Sequence, residues 1–190
     1  MNKIFLLLLF ISFGASAQNA ESKFNVGDVA PDITGVDQYG NSISTDVLRE
    51  QGKQILVIFY RGNWCPYCQK HLKELDEKFQ SFQEKGVSVL VISPEKPEKM
   101  EDTSEEFENQ IPLIFDKDNK IMQDYGVAFE LPNDFSKWTL KRVDDYNTYG
   151  NRVLPVPATY LIGSDGKIVY VHYDPNYHNR SDLEELLETL

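Results

Sequence analysis

The apolar positions of this chain fall into two kinds of pattern, and their alternation sets out a fold. Residues 54–60, QILVIFY, and 87–93, VSVLVIS, are nearly unbroken apolar runs of strand length, rich in β-branched residues. Such runs fit strands buried on both faces of a sheet. Between them Leu72, Leu75, Phe79 and Phe82 recur at intervals of three and four. That single stripe predicts a helix over 69–85, ended by Gly86. Strand, helix, strand in this order is a βαβ unit, whose crossover is right-handed in nearly all cases.

The flanking patterns are shorter. Residues 18–31 read as an extended lead-in closed by Pro31, and 32–36 with 41–44 as a hairpin around Asp37-Gln38-Tyr39-Gly40. Residues 45–50 fit a helical turn, 97–109 an acidic helix, 111–115 a strand and 119–125 a short helix. The stretch 127–155 has weak periodicity and reads as an insertion, part helix around 133–146 and part loop. Residues 158–162 and 168–173 predict an antiparallel pair joined by the turn Ser164-Asp165-Gly166-Lys167. Ser181-Asp182-Leu183-Glu184 has the form of a capping box that starts a last helix. A parallel unit followed by an antiparallel hairpin predicts an α/β fold, with a central mixed sheet flanked by helices.

The N-terminus adds a compartment. Lys3, the apolar run 4–13 broken only by Ser12, Gly14 and then Ala15-Ser16-Ala17 follow the order of a secretory signal peptide. The run is too short to span a bilayer, which takes about 20 residues. We therefore expect residues 1–17 to be a signal peptide, 18–190 one domain, and the mature chain to be exported, periplasmic or extracellular. A net charge of −11 excludes nucleic-acid or anionic-membrane binding through a basic patch.

Only two cysteines occur, both in RGNWCPYCQKH at 61–71. A disulfide between Cys65 and Cys68 would close a very small loop and add little stability, which invites a chemical explanation. Pro66 suits the first turn of a helix. It places Cys65 at the helix N-terminus, where backbone N–H groups favour a thiolate. Cys65 is then the attacking sulfur and Cys68, one turn inward, the resolving one. Two other readings stay open. The cysteines with two of His71, His172 and His178 could make a zinc site, although the His172–His178 spacing is longer than usual. The pair could also be inert and buried.

The strand, WCPYC and the amphipathic helix together resemble the thioredoxin fold. In VPATYLIGSDGKI the resemblance implies that Pro157, after Val156, is a cis-proline beside the cysteines. The segments VGDVAPDITGVDQYGNSIS, FYRGNWCPYC and PATYLIGSDGKIVYVHYDPNYHNR, spanning roughly 24–190, are similar to the peroxiredoxin-like branch of the alkyl hydroperoxide reductase/thiol-specific antioxidant (AhpC/TSA) superfamily. The departures matter. In the peroxiredoxin motif Pro-x-x-x-Thr/Ser-x-x-Cys, Arg61 stands for the proline, Cys65 for the threonine and Cys68 for the peroxidatic cysteine. Pro157 stands for the activating arginine. Against thioredoxin, Ile58 occupies the place of the buried aspartate, so another group must take the Cys68 proton. His71, three residues on, is a candidate shuttle, against the plainer reading of a surface histidine. Arg61 is a candidate thiol-tuning cation, against an exposed loop charge. Trp64 resembles the tryptophan that shields the thioredoxin site. Tyr177 and Arg180 read as packing at the hairpin end.

The resemblance implies thiol–disulfide exchange through a Cys65–Cys68 redox-active disulfide, with no bound cofactor and no metal. Its partners would be protein or small-molecule thiols or disulfides, a membrane entering only through a membrane-bound redox donor. The alternative is reduction of hydrogen or alkyl peroxides, one cysteine becoming a sulfenic acid with which the other condenses.

Overall fold

The computed structural model describes residues 21–147 and 152–190. The signal peptide expected over 1–17 lies outside the described residues.

A hairpin of β1 (Thr34–Val36) and β2 (Ser42–Ser44) leads into α1 (Thr45–Glu50). The expected βαβ unit follows as β3 (Gln54–Phe59), α2 (Pro66–Glu84) and β4 (Val87–Ser93). Next come α3 (Pro97–Ser104), β5 (Leu113–Phe115) and α4 (Lys120–Asp124). The insertion contains β6 (Ala128–Glu130), α5 (Lys137–Tyr146) and β7 (Val153–Pro155). The chain closes with β8 (Ala158–Ile162), β9 (Ile168–Tyr173) and α6 (Leu183–Glu188). The five-stranded sheet has the order β5-β4-β3-β8-β9. Strands β3, β4 and β5 are parallel, and β8 and β9 join antiparallel. This is the expected mixed sheet.

The two-residue period of β3 divides the core. Leu56, Ile58 and Tyr60 point to the face covered by α2 and α6, together with Cys65 and Cys68. Ile55, Val57 and Phe59 point to the opposite face, against Tyr125, Met122 and Tyr160. Ile58 is thus an apolar wall on the cysteine side, and Tyr60, just past the strand, is the first polar group beyond it.

Four expectations need correction. Helix α3 stops at Ser104 rather than near 109. The buried Asp76 carboxylate accepts from Glu108 N–H at 2.8 Å and Asn109 N–H at 3.0 Å, so those amides find partners outside a helix. The insertion holds an antiparallel pair, β6 with β7, besides its helix; strands of three residues are too short to show a period. Ser181 does not cap α6. Asp182 does, accepting from Glu184 and Glu185 N–H at 3.0 Å each. Finally, no peptide bond among the described residues is cis, so Val156–Pro157 is trans. Trans is the lower-energy form even before proline. The approach from β7 needs no reversal there, with Val156 N–H bonded to Val127 O at 2.7 Å. No helix among the described residues is long and apolar enough to cross a membrane.

Candidate active site

Cys65 is the N-cap of α2 and Pro66 its first residue. The strand-to-helix connection is tight because Gly62 takes a φ of +135°. A Cβ there would sit 2.6 Å from the Trp64 indole nitrogen, so both the backbone and the space demand glycine. Both cysteines are free thiols and buried, Cys65 at 3% and Cys68 at 1% exposure.

Their chemistry is asymmetric. The Cys65 thiol is lowered to about 6, first by the hydrogen bond it accepts from the Cys68 thiol, then by the Cys68 backbone N–H, and then by Arg61 and Arg180, all acting against the cost of burial. Cys68 is pushed well above the ordinary thiol range, first by burial and then by donating to Cys65. At neutral pH the pair is a thiolate at the helix end hydrogen-bonded by a thiol one turn inside. A thiolate in that position can attack a disulfide or another electrophilic sulfur.

Two guanidiniums hold that arrangement. Arg180 Nη2 lies 3.6 Å from Cys68 Sγ, and Arg180 Nη1 donates to the carbonyls of Tyr177 and, at 2.7 Å, Asn179. Arg61 is half-buried, 4.6 Å from the Tyr177 ring centroid and 5.4 Å from that of Phe129. Its Nε is buried without a hydrogen-bond partner. Burial lowers its pKa while both cysteines favour its charge. Arg61 is therefore no exposed loop charge, and Tyr177 and Arg180 do more than close the hairpin end.

Trp64 is half-buried beside Cys65. Its indole N–H donates to Asn147 Oδ1 at 3.3 Å, and its ring meets Trp138 edge-on at 6.5 Å. Asn147 Nδ2 donates in turn to Arg61 O at 3.3 Å. The insertion thus holds the motif through the residue that ends α5.

Behind the loop lies Glu95, fully buried. Its carboxylate accepts from Asn63 N–H at 2.8 Å, from Thr103 Oγ1 at 3.3 Å and from the Tyr60 phenol. Burial raises it to about 7, against these hydrogen bonds and Lys99. Sequence reasoning missed it because Glu95 stands in SPEKPEK, a run that looks solvated.

His71 is buried rather than at the surface. Its Nε2 is 3.2 Å from Ser181 Oγ, which is 2.9 Å from Thr159 Oγ1. Burial, then Arg180 and His172, lower it to about 4. Pro157 is buried at the entry to β8, whose first residue, Ala158, pairs with Phe59 at the sheet end that carries the motif. All three histidines line one cleft beside α2. Among the described residues no three His, Cys, Asp or Glu side chains converge as metal ligands.

Comparison with known proteins adds the following. The family model described as AhpC/TSA family matches residues 26–171. A Mycobacterium tuberculosis (strain H37Rv) protein named as a peroxiredoxin is 29% identical over 154 residues, 80% of this chain and 87% of the relative. The thiol-disulfide oxidoreductase ResA of Geobacillus thermodenitrificans is 25% identical over 195 residues, 100% of this chain and 94% of the relative. Among solved structures, peroxidoxin BcpB of M. tuberculosis superposes with a TM-score of 0.66 at 21% identity, over 86% of this chain and 94% of that one. The thioredoxin domain of a Bacteroides vulgatus thiol-disulfide oxidoreductase gives 0.57 at 23% identity, over 86% and 99%.

Proposed function

The chain belongs to the AhpC/TSA family and is an oxidoreductase of the thiol-disulfide or thiol-peroxidase kind; from that premise we propose that it exchanges disulfides through Cys65 and Cys68. Cys65 attacks a disulfide of a protein or small thiol and forms a mixed disulfide. Cys68 attacks Cys65 in turn and releases the partner as a thiol. The same steps run backwards when the pair starts oxidised. Electrons come from, or go to, a thiol partner, which includes a membrane-bound donor. The observation that carries this reading is the placement of the pair, with Cys65 at the N-cap of α2 and Cys68 buried one turn inside it; that placement makes Cys65 the more acidic of the two. Trp64 shields the pair, and Arg61 and Arg180 favour its anionic form. His71 fits a proton shuttle poorly, being a weak base occupied by Ser181.

A second reading, reduction of peroxide at Cys68, draws support from the Arg180 guanidinium at its sulfur and from the family. Stopped-flow oxidation of the reduced protein by a model protein disulfide or by hydrogen peroxide separates the two. Fast disulfide exchange lost in Cys65→Ser, with slow peroxide reaction, supports the first. Fast peroxide oxidation that persists in Cys65→Ser and vanishes in Cys68→Ser overturns it.

Export is part of the proposal and rests on the pattern of residues 1–17. Mass spectrometry of the protein recovered from cells should find Gln18 at its N-terminus; an intact Met1 refutes the cleavage.

A further inference from the structure

The chain carries 30 Asp and Glu against 19 Lys and Arg, so its cations have carboxylates to choose from. Arg49 pairs with Asp32 at 2.7 Å, and Arg152 with Asp144 at 2.8 Å. Among the described residues the two arginines at the cysteines pair with none. Arg180 directs its donors to the carbonyls of Tyr177 and Asn179 and to Cys68 Sγ. The Arg61 side chain makes no hydrogen bond among the described residues. Its guanidinium lies against the rings of Tyr177 and Phe129, which attract a cation but leave its N–H groups without acceptors. Nε is enclosed, so the outer nitrogens are the ones left to meet a ligand. Their fork matches a carboxylate.

Tyr177 ties both arginines to the reacting sulfurs. Its ring meets the Arg61 guanidinium and, at 5.7 Å, the ring of Tyr67 between the cysteines. Its carbonyl accepts from Arg180, which reaches Cys68 Sγ at 3.6 Å. Arg61 stands one residue before the turn closed by Cys65 N–H to Gly62 O at 3.1 Å. The backbone at the entry to β8 supplies no donor in its place. Val156 N–H is already bonded to Val127 O, and Pro157 has no N–H.

We infer that Arg61 and Arg180 form a carboxylate subsite, so that the disulfide attacked by Cys65 is one that carries a carboxylate close to its sulfurs. The inference rests on the proposed exchange reaction. In that reaction the Cys65 thiolate bonds to the nearer partner sulfur. The partner S–S bond breaks, and the farther half leaves as thiolate with the electron pair. The negative charge leaves with it, and the guanidiniums lose the anion they faced. A carboxylate on the half that stays bound takes its place. The exposed rings of Tyr67 and Tyr177 offer the rest of that half an apolar surface. Such a carboxylate belongs to a small thiol acid or to an Asp or Glu beside a protein disulfide, and the subsite reads the same chemistry in both.

The test mixes the reduced full-length protein in stopped flow with dithiodipropionate, anionic on both arms, or with cystamine, cationic on both. Each rate is divided by that of the same reagent with dithiothreitol, which removes the reagents' own reactivity. A net charge of −11 makes the molecule as a whole favour cystamine, so a preference for dithiodipropionate is local in origin. That preference should be about tenfold in wild type and fall to about one in Arg61→Met. Arg61→Lys, which keeps the charge without the fork, should recover part of it. The ratio within one protein cancels any change in Cys65 acidity, which is all that a tuning role would produce. Lys85→Met removes the same charge at the far end of α2 and should leave the ratio unchanged; an equal fall there overturns the subsite. A second arm uses disulfide-bonded peptides with Glu or Lys beside the cysteine. A preference in the first arm shows that a small thiol acid suffices, and one confined to the peptides assigns the carboxylate to a protein side chain; either supports the subsite. No preference in either arm, or one that Arg61→Met leaves intact, overturns it. If Arg61→Met does not fold, wild type decides, and absence of the preference at low salt overturns it equally. Failure of the underlying reading looks different. There no reagent oxidises the pair in a reaction that Cys65→Ser abolishes.

Discussion

Two buried titratable groups flank the N-terminal half of α2, and the fold treats them in opposite ways. On one side, Glu95 sits among Tyr60, Asn63 and Thr103 and is raised to about 7. On the other, His71 sits against Ser181, with Arg180 and His172 near it, and is lowered to about 4. Burial is the leading cause in both cases, because it disfavours charge of either sign. At mildly acidic pH both are neutral. The charges left next to the cysteines are the two guanidiniums, Arg61 and Arg180. The difference teaches how a strongly acidic chain makes an anion-favouring site. It neutralises the nearby carboxyl and the nearby imidazole by burial, and leaves the two groups that burial cannot readily discharge.

The largest expected effect is on stability against pH. For Glu95 the folded pKa of about 7 exceeds the ordinary 4.5, so the folded state binds the extra proton. Its contribution is complete below 4.5 and is lost as pH rises through 7. For His71 the folded value of about 4 lies below the ordinary 6.5. Its contribution is complete above 6.5 and is lost as pH falls through 4. The two slopes cancel where they overlap. From pH 4.5 to pH 6 each amounts to about 2 kcal/mol, and the Cys65 titration near 6 is common to all three proteins. Relative to wild type, the unfolding free energy of Glu95→Gln should therefore rise by about that much across the window, and that of His71→Gln should fall by the same amount. Urea unfolding at several pH values measures both. Parallel curves for all three proteins would break the comparison.

These two sides differ in how far they could be read from sequence. The long elements were legible because their patterns extend over many residues. QILVIFY, VSVLVIS and the Leu72–Phe82 stripe each became the expected element. The position of Cys65 at the helix end was legible because Pro66 fixes a helix start. Glu95 was not legible. Nothing local separates it from the exposed Glu98 three residues later, and only the approach of α3 to the motif loop buries it. Ser181 and Asp182 both suit an N-cap. The choice between them was made by His71, 110 residues earlier in the chain, which takes the Ser181 hydroxyl. The trans bond at Pro157 shows the limit of resemblance, since similar residues around a proline do not determine its isomer.

The next effect in size tests the guanidinium between the two sides. Arg180→Met keeps much of the side chain's bulk and removes its charge from Cys68 Sγ. Cys65 should become less acidic, because Arg180 is one of the groups that lower it. At pH 6 the exchange rate should fall by about tenfold, and the loss should shrink toward pH 8, where Cys65 ionises without help. Iodoacetamide alkylation of Cys65 against pH reads the same shift. An unchanged alkylation profile would mean that the Cys68 hydrogen bonds and Arg61 set the acidity of Cys65 without Arg180, and that the neutral flanks matter less than the opening comparison claims.

The smallest expected effect concerns the third support of the motif. Asn147 is fully buried, accepts from the Trp64 indole and donates to Arg61 O. It carries no charge, so it can hold the loop without altering the field that Glu95 and His71 leave behind. Asn147→Ala should cost about 1 kcal/mol, since it removes two long hydrogen bonds and leaves the indole N–H without its partner. The emission of Trp64 should shift while the alkylation profile of Cys65 stays where it was. Thermal unfolding and Trp fluorescence of the same sample give both readings. If Cys65 acidity moved along with the emission, loop position rather than charge would control the thiol. The contrast between the Glu95 and His71 sides would then be a consequence of where the loop sits and not the cause of its chemistry.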